Sequence, residues 1–208
     1  MNKNRGIIVK DVIRGICKTF KTEITKGTFT KSLAIKTGGK VSHARGLGIL
    51  ARTGIESGCV LDIEKAIKLK TPYRKPNGKR NRNQANVDVV LSVPNTEHMI
   101  LLEYETPDLI EETILSKLGM WGNYYENENI ILLAIVIVNI PKEKKESPWE
   151  QKDRTKLVNI TKNTMIKWSK KYPKNSFAVI SIEEKALYSY RFNDGEEFKN
   201  EYTIRLKD

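Results

Sequence analysis

Residues 87–105 read VDVVLSVPNTEHMILLEYE, and they restrict the fold more than any other part of the chain. Two runs rich in aliphatic and β-branched residues, Val87–Val93 and Met99–Thr106, flank the turn-forming stretch Pro94-Asn95-Thr96-Glu97-His98, so the spacing predicts a β-hairpin. Both runs carry acid where burial is expected. Asp88 lies inside the first, and Glu103 and Glu105 end the second. Strand side chains alternate between faces, so Glu103 and Glu105 point the same way. Buried carboxylates are paired, protonated or bound to metal, and three that converge from one hairpin make a seat for a hard cation such as Mg²⁺.

The flanking sequence supplies the rest of the expected architecture. After the hairpin, Asp108 can cap a helix, Glu111 and Glu112 suit its positive end, and Ile110, Ile114, Leu118, Trp121 and Tyr125 form an apolar stripe. Ile130–Val138 is apolar throughout, as a strand covered on both faces would be, and a strand–helix–strand succession implies a parallel crossover. Ser147-Pro148-Trp149-Glu150 is a capping box that opens a helix running to about Lys171, stopped by Pro173. Strands are expected over 177–182, 187–192 and 201–206, the last two separated by the turn Asn193-Asp194-Gly195.

Upstream, Ile8, Val12, Ile16 and Phe20 make the stripe of a helix over 7–20. The Thr-, Lys-, Ser- and Gly-rich stretch 22–48 reads as a loop whose glycines allow close backbone approach to phosphate, with Lys40, Ser42, His43 and Arg45 as donors. Leu47–Ala51 and Val60–Leu69 read as short helical or extended pieces. Two prolines and a glycine between 68 and 83 rule out a long helix and predict a basic loop. The expectation is one α/β domain (α+β by some schemes) over 1–208, a mixed central β-sheet flanked by helices. Its basic N-terminal part covers about 1–85 and its core about 86–140.

Charge is divided unevenly along this chain. Residues 1–87 hold 20 Lys and Arg against 5 Asp and Glu, whereas residues 88–208 hold 17 against 20. Residues 24–55 contain no acid, and residues 65–87 contain eight basic residues and no acid. Such segregation points to a phosphate-facing half, and the basic residues are spread among Gly, Ser, Thr and Asn rather than along an amphipathic helix, which disfavours a membrane surface. Candidate nucleic-acid contacts are Lys40, Ser42, His43, Arg45, Arg74, Lys75, Lys79, Arg80 and Arg82, with Asn81 and Asn83 beside them. No run of eighteen apolar residues exists, and Cys17 and Cys59 lack metal-ligand spacing, so a soluble intracellular protein with two free thiols is expected.

An Asp entering a hairpin, an apolar strand ending in acid-x-acid, then a helix and a buried strand resembles the PD-(D/E)XK restriction-endonuclease superfamily. The likeness covers about residues 86–138, and Glu103-Tyr104-Glu105-Thr106 is similar to the E-[FY]-E-T of its Bam-type branch, which cuts GGATCC. Most members carry lysine where this chain has Glu105. The resemblance implies a restriction-endonuclease-like fold and a cytoplasmic, prokaryotic type II restriction endonuclease. It further implies a homodimer that hydrolyses double-stranded DNA with one or two Mg²⁺ per site. Asp88 and Glu103 would bind metal, and Glu105 would serve the attacking water. Glu64 is the choice over Glu56 for a fourth acid, and the helix 109–126 would build the dimer through Ile114, Leu118, Trp121 and Tyr125. The same acids would also serve a structure-selective DNA nuclease, and a non-catalytic DNA-binding module would keep the same fold.

Overall fold

A computed structural model of the chain describes residues 3–26, 39–74, 81–105, 118, 129–139, 148–183, 186–199 and 203–205. Three helices stand out among them: α1 (Lys3–Thr25), α2 (Gly39–Glu56) and α3 (Pro148–Lys171). The strands are β1 (Val60–Arg74), β2 (Asn81–Ser92), β3 (Met99–Glu105), β4 (Ile130–Asn139), β5 (Ser176–Glu183), β6 (Ala186–Asn193), β7 (Glu196–Lys199) and β8 (Ile204–Arg205). They form one mixed sheet in the order β1-β2-β3-β4-β5-β6-β7, with β8 also paired to β6.

The predicted hairpin is present. Val89–Ser92 pairs antiparallel with Met99–Leu102, and the turn is closed by the Val93 amide donating to the His98 carbonyl at 2.9 Å. Asn95 takes the left-handed conformation there (φ 58°), which Asn tolerates better than most residues. β3 and β4 are parallel, as the expected crossover requires, and β4 and β5 are parallel on either side of α3. The Asn193-Asp194-Gly195 turn joins β6 to β7, with Asp194 and Gly195 both at positive φ, the signature of a tight hairpin turn. The strand after that turn is thus 196–199, and the chain returns to β6 only at 204–205.

The helices cover the two faces of the sheet. Val9, Val12, Ile13, Ile16 and Phe20 of α1 and Leu47 and Leu50 of α2 pack on Val89, Leu91, Leu102, Tyr104 and Ala134. On the other face Leu157, Val158 and Met165 of α3 meet Val87, Val90, Leu101, Leu133, Ile135 and Val179. Leu118, the one described residue of the expected helix 109–126, is buried within this second cluster. Ile114, Trp121 and Tyr125 lie outside the described residues, as do Lys75, Lys79 and Arg80.

Two expectations for the N-terminal half are corrected. The Gly-rich stretch read as a loop to residue 48 becomes helix from Gly39. Two of the helix's glycines serve packing: a Cβ on Gly46 would collide with the Tyr104 ring, and one on Gly54 with Leu91. The basic stretch read as a loop over 68–83 is strand up to Arg74 and again from Asn81. Pro72 is accommodated because β1 is the edge of the sheet, where a missing amide is tolerated, and the ladder shifts register between Lys68 and Tyr73.

Candidate active site at the junction of β2 and β3

The acids singled out by sequence lie where β2 leaves β3. The ladder between the two strands ends at Val89–Leu102, but β2 remains paired to β1 as far as Asn81. Alternation breaks at this point: Val87 and Val90 pack in the α3-side cluster, whereas Val89 packs in the α1/α2-side cluster. Regular pleating would put Val87 and Val89 together. The local twist turns Asp88 toward α2 and into the gap that opens between the strands. There Asp88 Oδ2 accepts the Tyr104 backbone N–H at 2.8 Å, in place of a ladder bond. Its other oxygen, Oδ1, lies 3.5 Å from His43 Nε2 in the second turn of α2.

Glu103 and Glu105 flank that same Tyr104. Both are buried, at 2% and 3% exposure, in a sequence position where a hydrophobic residue would be the default. They share the face of Leu101, and across the parallel ladder their neighbours on β4 are Ile135 and Ile137. Tyr104 points the other way, stacked on Phe20 with ring centroids 6.0 Å apart and near-parallel planes, and touched edge-on by His43. Asp88 and the two glutamates therefore approach the end of β3 from opposite sides, joined by one amide. Among the described residues no three His, Cys, Asp or Glu side chains lie close enough together to hold a metal.

Glu64 falls between the pairs Ile63–Val89 and Lys65–Val87, which places it opposite Asp88 on the neighbouring strand. It is exposed and has φ 50°, uncommon for a residue with a Cβ and a mark of local backbone strain. Glu56, the acid passed over for this role, accepts a 2.7 Å hydrogen bond from Arg52 near the end of α2. It borders a cleft of about 590 Å³ between α1 and α2, away from Asp88.

The basic candidates divide into three groups. Arg45 reaches Glu23 of α1 at 3.3 Å. Burial works to raise the Glu23 carboxyl, but the Arg45 hydrogen bond and the charges of Lys26 and Arg45 outweigh it and hold the group below its usual value. His43, read from the sequence as a phosphate donor, stands beside Asp88, and no sequence signal links positions 45 apart before the strands are paired. Lys40 and Ser42 sit in the first turn of α2, and Arg74 and Arg82 on β1 and β2, where only the backbone is described.

Carboxylates are the donors a hard divalent cation takes, but Asp88 stands on the α2 side of β3 and Glu103 and Glu105 on the α3 side, so each side by itself offers one or two of them. The acids at this junction are carboxylates only, and Mg²⁺ is commonly held by one or two carboxylates together with waters and substrate phosphate. Comparison of the sequence with models of protein families and with characterised proteins finds no match.

Proposed function

We propose that this chain is a Mg²⁺-dependent endonuclease that hydrolyses double-stranded DNA, of the type II restriction class and the restriction-endonuclease-like fold, acting as a homodimer. The observation that carries the reading is the bond from the Tyr104 amide to Asp88, which ties the acid of β2 to the Glu-x-Glu of β3 at the root of a basic hairpin. The hairpin of β2 and β3 and the parallel pairing of β3 with the buried β4 agree with it, since an Asp-bearing hairpin, a Glu-x-Glu strand and a later buried strand are the parts that carry the resemblance. Strain at Glu64, directly across from Asp88, is what a residue kept for function rather than stability would show.

In this reading Asp88 and Glu103 are the residues that would hold the cation, which would supply charge neutralisation at the phosphoryl oxygens and acidify a bound water. Glu105, two positions along the same face as Glu103, orients the attacking water and accepts its proton. The Tyr104 amide fixes one Asp88 oxygen, so that the carboxylate is already positioned before DNA arrives. Lysines and arginines of 65–82 lower the cost of bringing a polyanion to a cluster of acids.

The test is digestion of plasmid and long linear duplex with the purified chain and Mg²⁺. Discrete, reproducible fragments are expected, and Glu105→Ala is expected to abolish cutting but retain duplex binding. Cutting only at branched or flapped substrates would move the assignment to a structure-selective nuclease. Binding with no cutting in any divalent ion would reduce it to a DNA-binding module, the reading favoured by the separation of the acids onto two sides of β3.

A further inference from the structure

The β1–β2 hairpin outruns the sheet that supports it. β2 pairs with β3 only over Val89–Ser92, yet β1 and β2 stay paired from Lys65–Val87 through Arg74–Asn81. Seven residues of β2 beyond the Asp88 junction extend about 23 Å at strand rise. The two faces of this ribbon differ. Ile67 and Val87 turn inward and pack in the α3-side cluster. The opposite row on β2 contains Gln84 and Asn86, both exposed; Ala66, paired with Asn86 and also exposed, faces the same way on β1. That row begins at Asp88, two positions from Asn86.

We propose that this ribbon face enters the major groove of duplex DNA and that Gln84 and Asn86 read base edges there. The inference rests on the endonuclease reading for its partner and adds which residues choose the sequence. The major groove, about 12 Å wide, admits a two-stranded antiparallel ribbon. A primary amide presents a donor and an acceptor side by side, the pair that matches the N7 and N6 amino group of adenine, and a small methyl such as Ala66 suits the thymine methyl. Exposed amides held on a paired strand have fixed spacing and direction, which separates base reading from the sequence-blind attraction of the surrounding lysines. The occupant follows from charge: residues 65–87 carry eight basic residues and no acid, complementary to a polyanion. Asn81 and Asn83, the amides noted from sequence, lie on β2 where only the backbone is described.

The experiment is selection of binding sites by the full chain from a randomised duplex pool in EDTA, so that no cutting occurs. The unmodified chain is expected to enrich one short consensus containing adenine. For Gln84→Ala/Asn86→Ala, the ratio of affinities for that consensus over a scrambled duplex should fall by about 5- to 150-fold per lost contact. Asn86→Asp should move one position of the consensus from adenine toward cytosine, whose amino group a carboxylate accepts, a change that loss of folding cannot produce. An unchanged consensus with an unchanged ratio in both variants overturns the inference and leaves the nuclease reading standing, whereas duplex binding with no consensus at all overturns the inference and the restriction class of that reading, leaving only a sequence-blind nuclease or binding module. Absence of duplex binding by the unmodified chain removes both.

Discussion

Gly46→Ala and Gly48→Ala, two residues apart in α2, are expected to change stability in opposite directions. In a helix interior alanine is favoured over glycine by about 1 kcal/mol, and this gain is available to both variants. At Gly48, which is exposed, a Cβ meets nothing within 4 Å, so the gain stands alone. At Gly46 the new carbon would sit 2.5 Å from Cε2 of Tyr104. Ordinary carbon contacts begin near 3.5 Å, so helix or ring must yield by about 1 Å. The ring has no room to retreat: Tyr104 is fully buried and stacked on Phe20. Overpacking of this kind costs about 1–3 kcal/mol, which cancels or exceeds the propensity gain. The two variants should therefore differ by about 1–3 kcal/mol in urea unfolding, Gly48→Ala above the unmodified chain and Gly46→Ala level with it or below. For a domain of this size each kcal/mol moves the melting temperature by about 2–4 °C. Equal stabilisation by both substitutions would refute the close approach of α2 to β3 and with it the position of His43 over Asp88.

Three further outcomes can be checked directly. Burial pushes the Cys17 thiol up to about 12 and raises the partly exposed Cys59 too, so native protein at pH 8 should take up iodoacetamide at Cys59 first, Cys17 reacting only after denaturation. Because the Glu23 carboxyl is held below its ordinary value, the Arg45–Glu23 contact stabilises the fold above the usual glutamate range and its contribution is lost as pH falls through the depressed value. The acid limb of a pH–stability profile should accordingly be shallower in Glu23→Gln than in the unmodified chain, and matching slopes would count against the contact. Asn175 is buried and its amide donates to the Ile130 carbonyl at the start of β4, so Asn175→Ala leaves that carbonyl unsatisfied and should cost about 1–3 kcal/mol in chemical denaturation.

The parts of the fold legible in the sequence were those whose signal is local. Strand β4 is named by nine consecutive apolar residues, α3 by its capping box and terminal proline, and the β2–β3 hairpin by two apolar runs about a Pro-Asn turn. α2 was not legible because its glycines, Gly46 above all, imitate a loop while answering to a tyrosine 58 positions away. Likewise β1 and the first half of β2 hid behind Pro72 and a run of lysines, since strand pairing at a sheet edge depends on a partner rather than on the segment's own composition.

For the candidate site the division is the same. The sequence by itself determined that Asp88, Glu103 and Glu105 occupy apolar strands beside an acid-free basic stretch, because residue type and strand period are properties of the chain. Only the tertiary structure decided that β2 twists at Asp88, that its carboxylate takes the Tyr104 amide and meets His43, and that Gln84 and Asn86 share an exposed row beyond it. A break in strand alternation and an exposed face both arise from what lies across the sheet, and a single strand cannot encode its own neighbours.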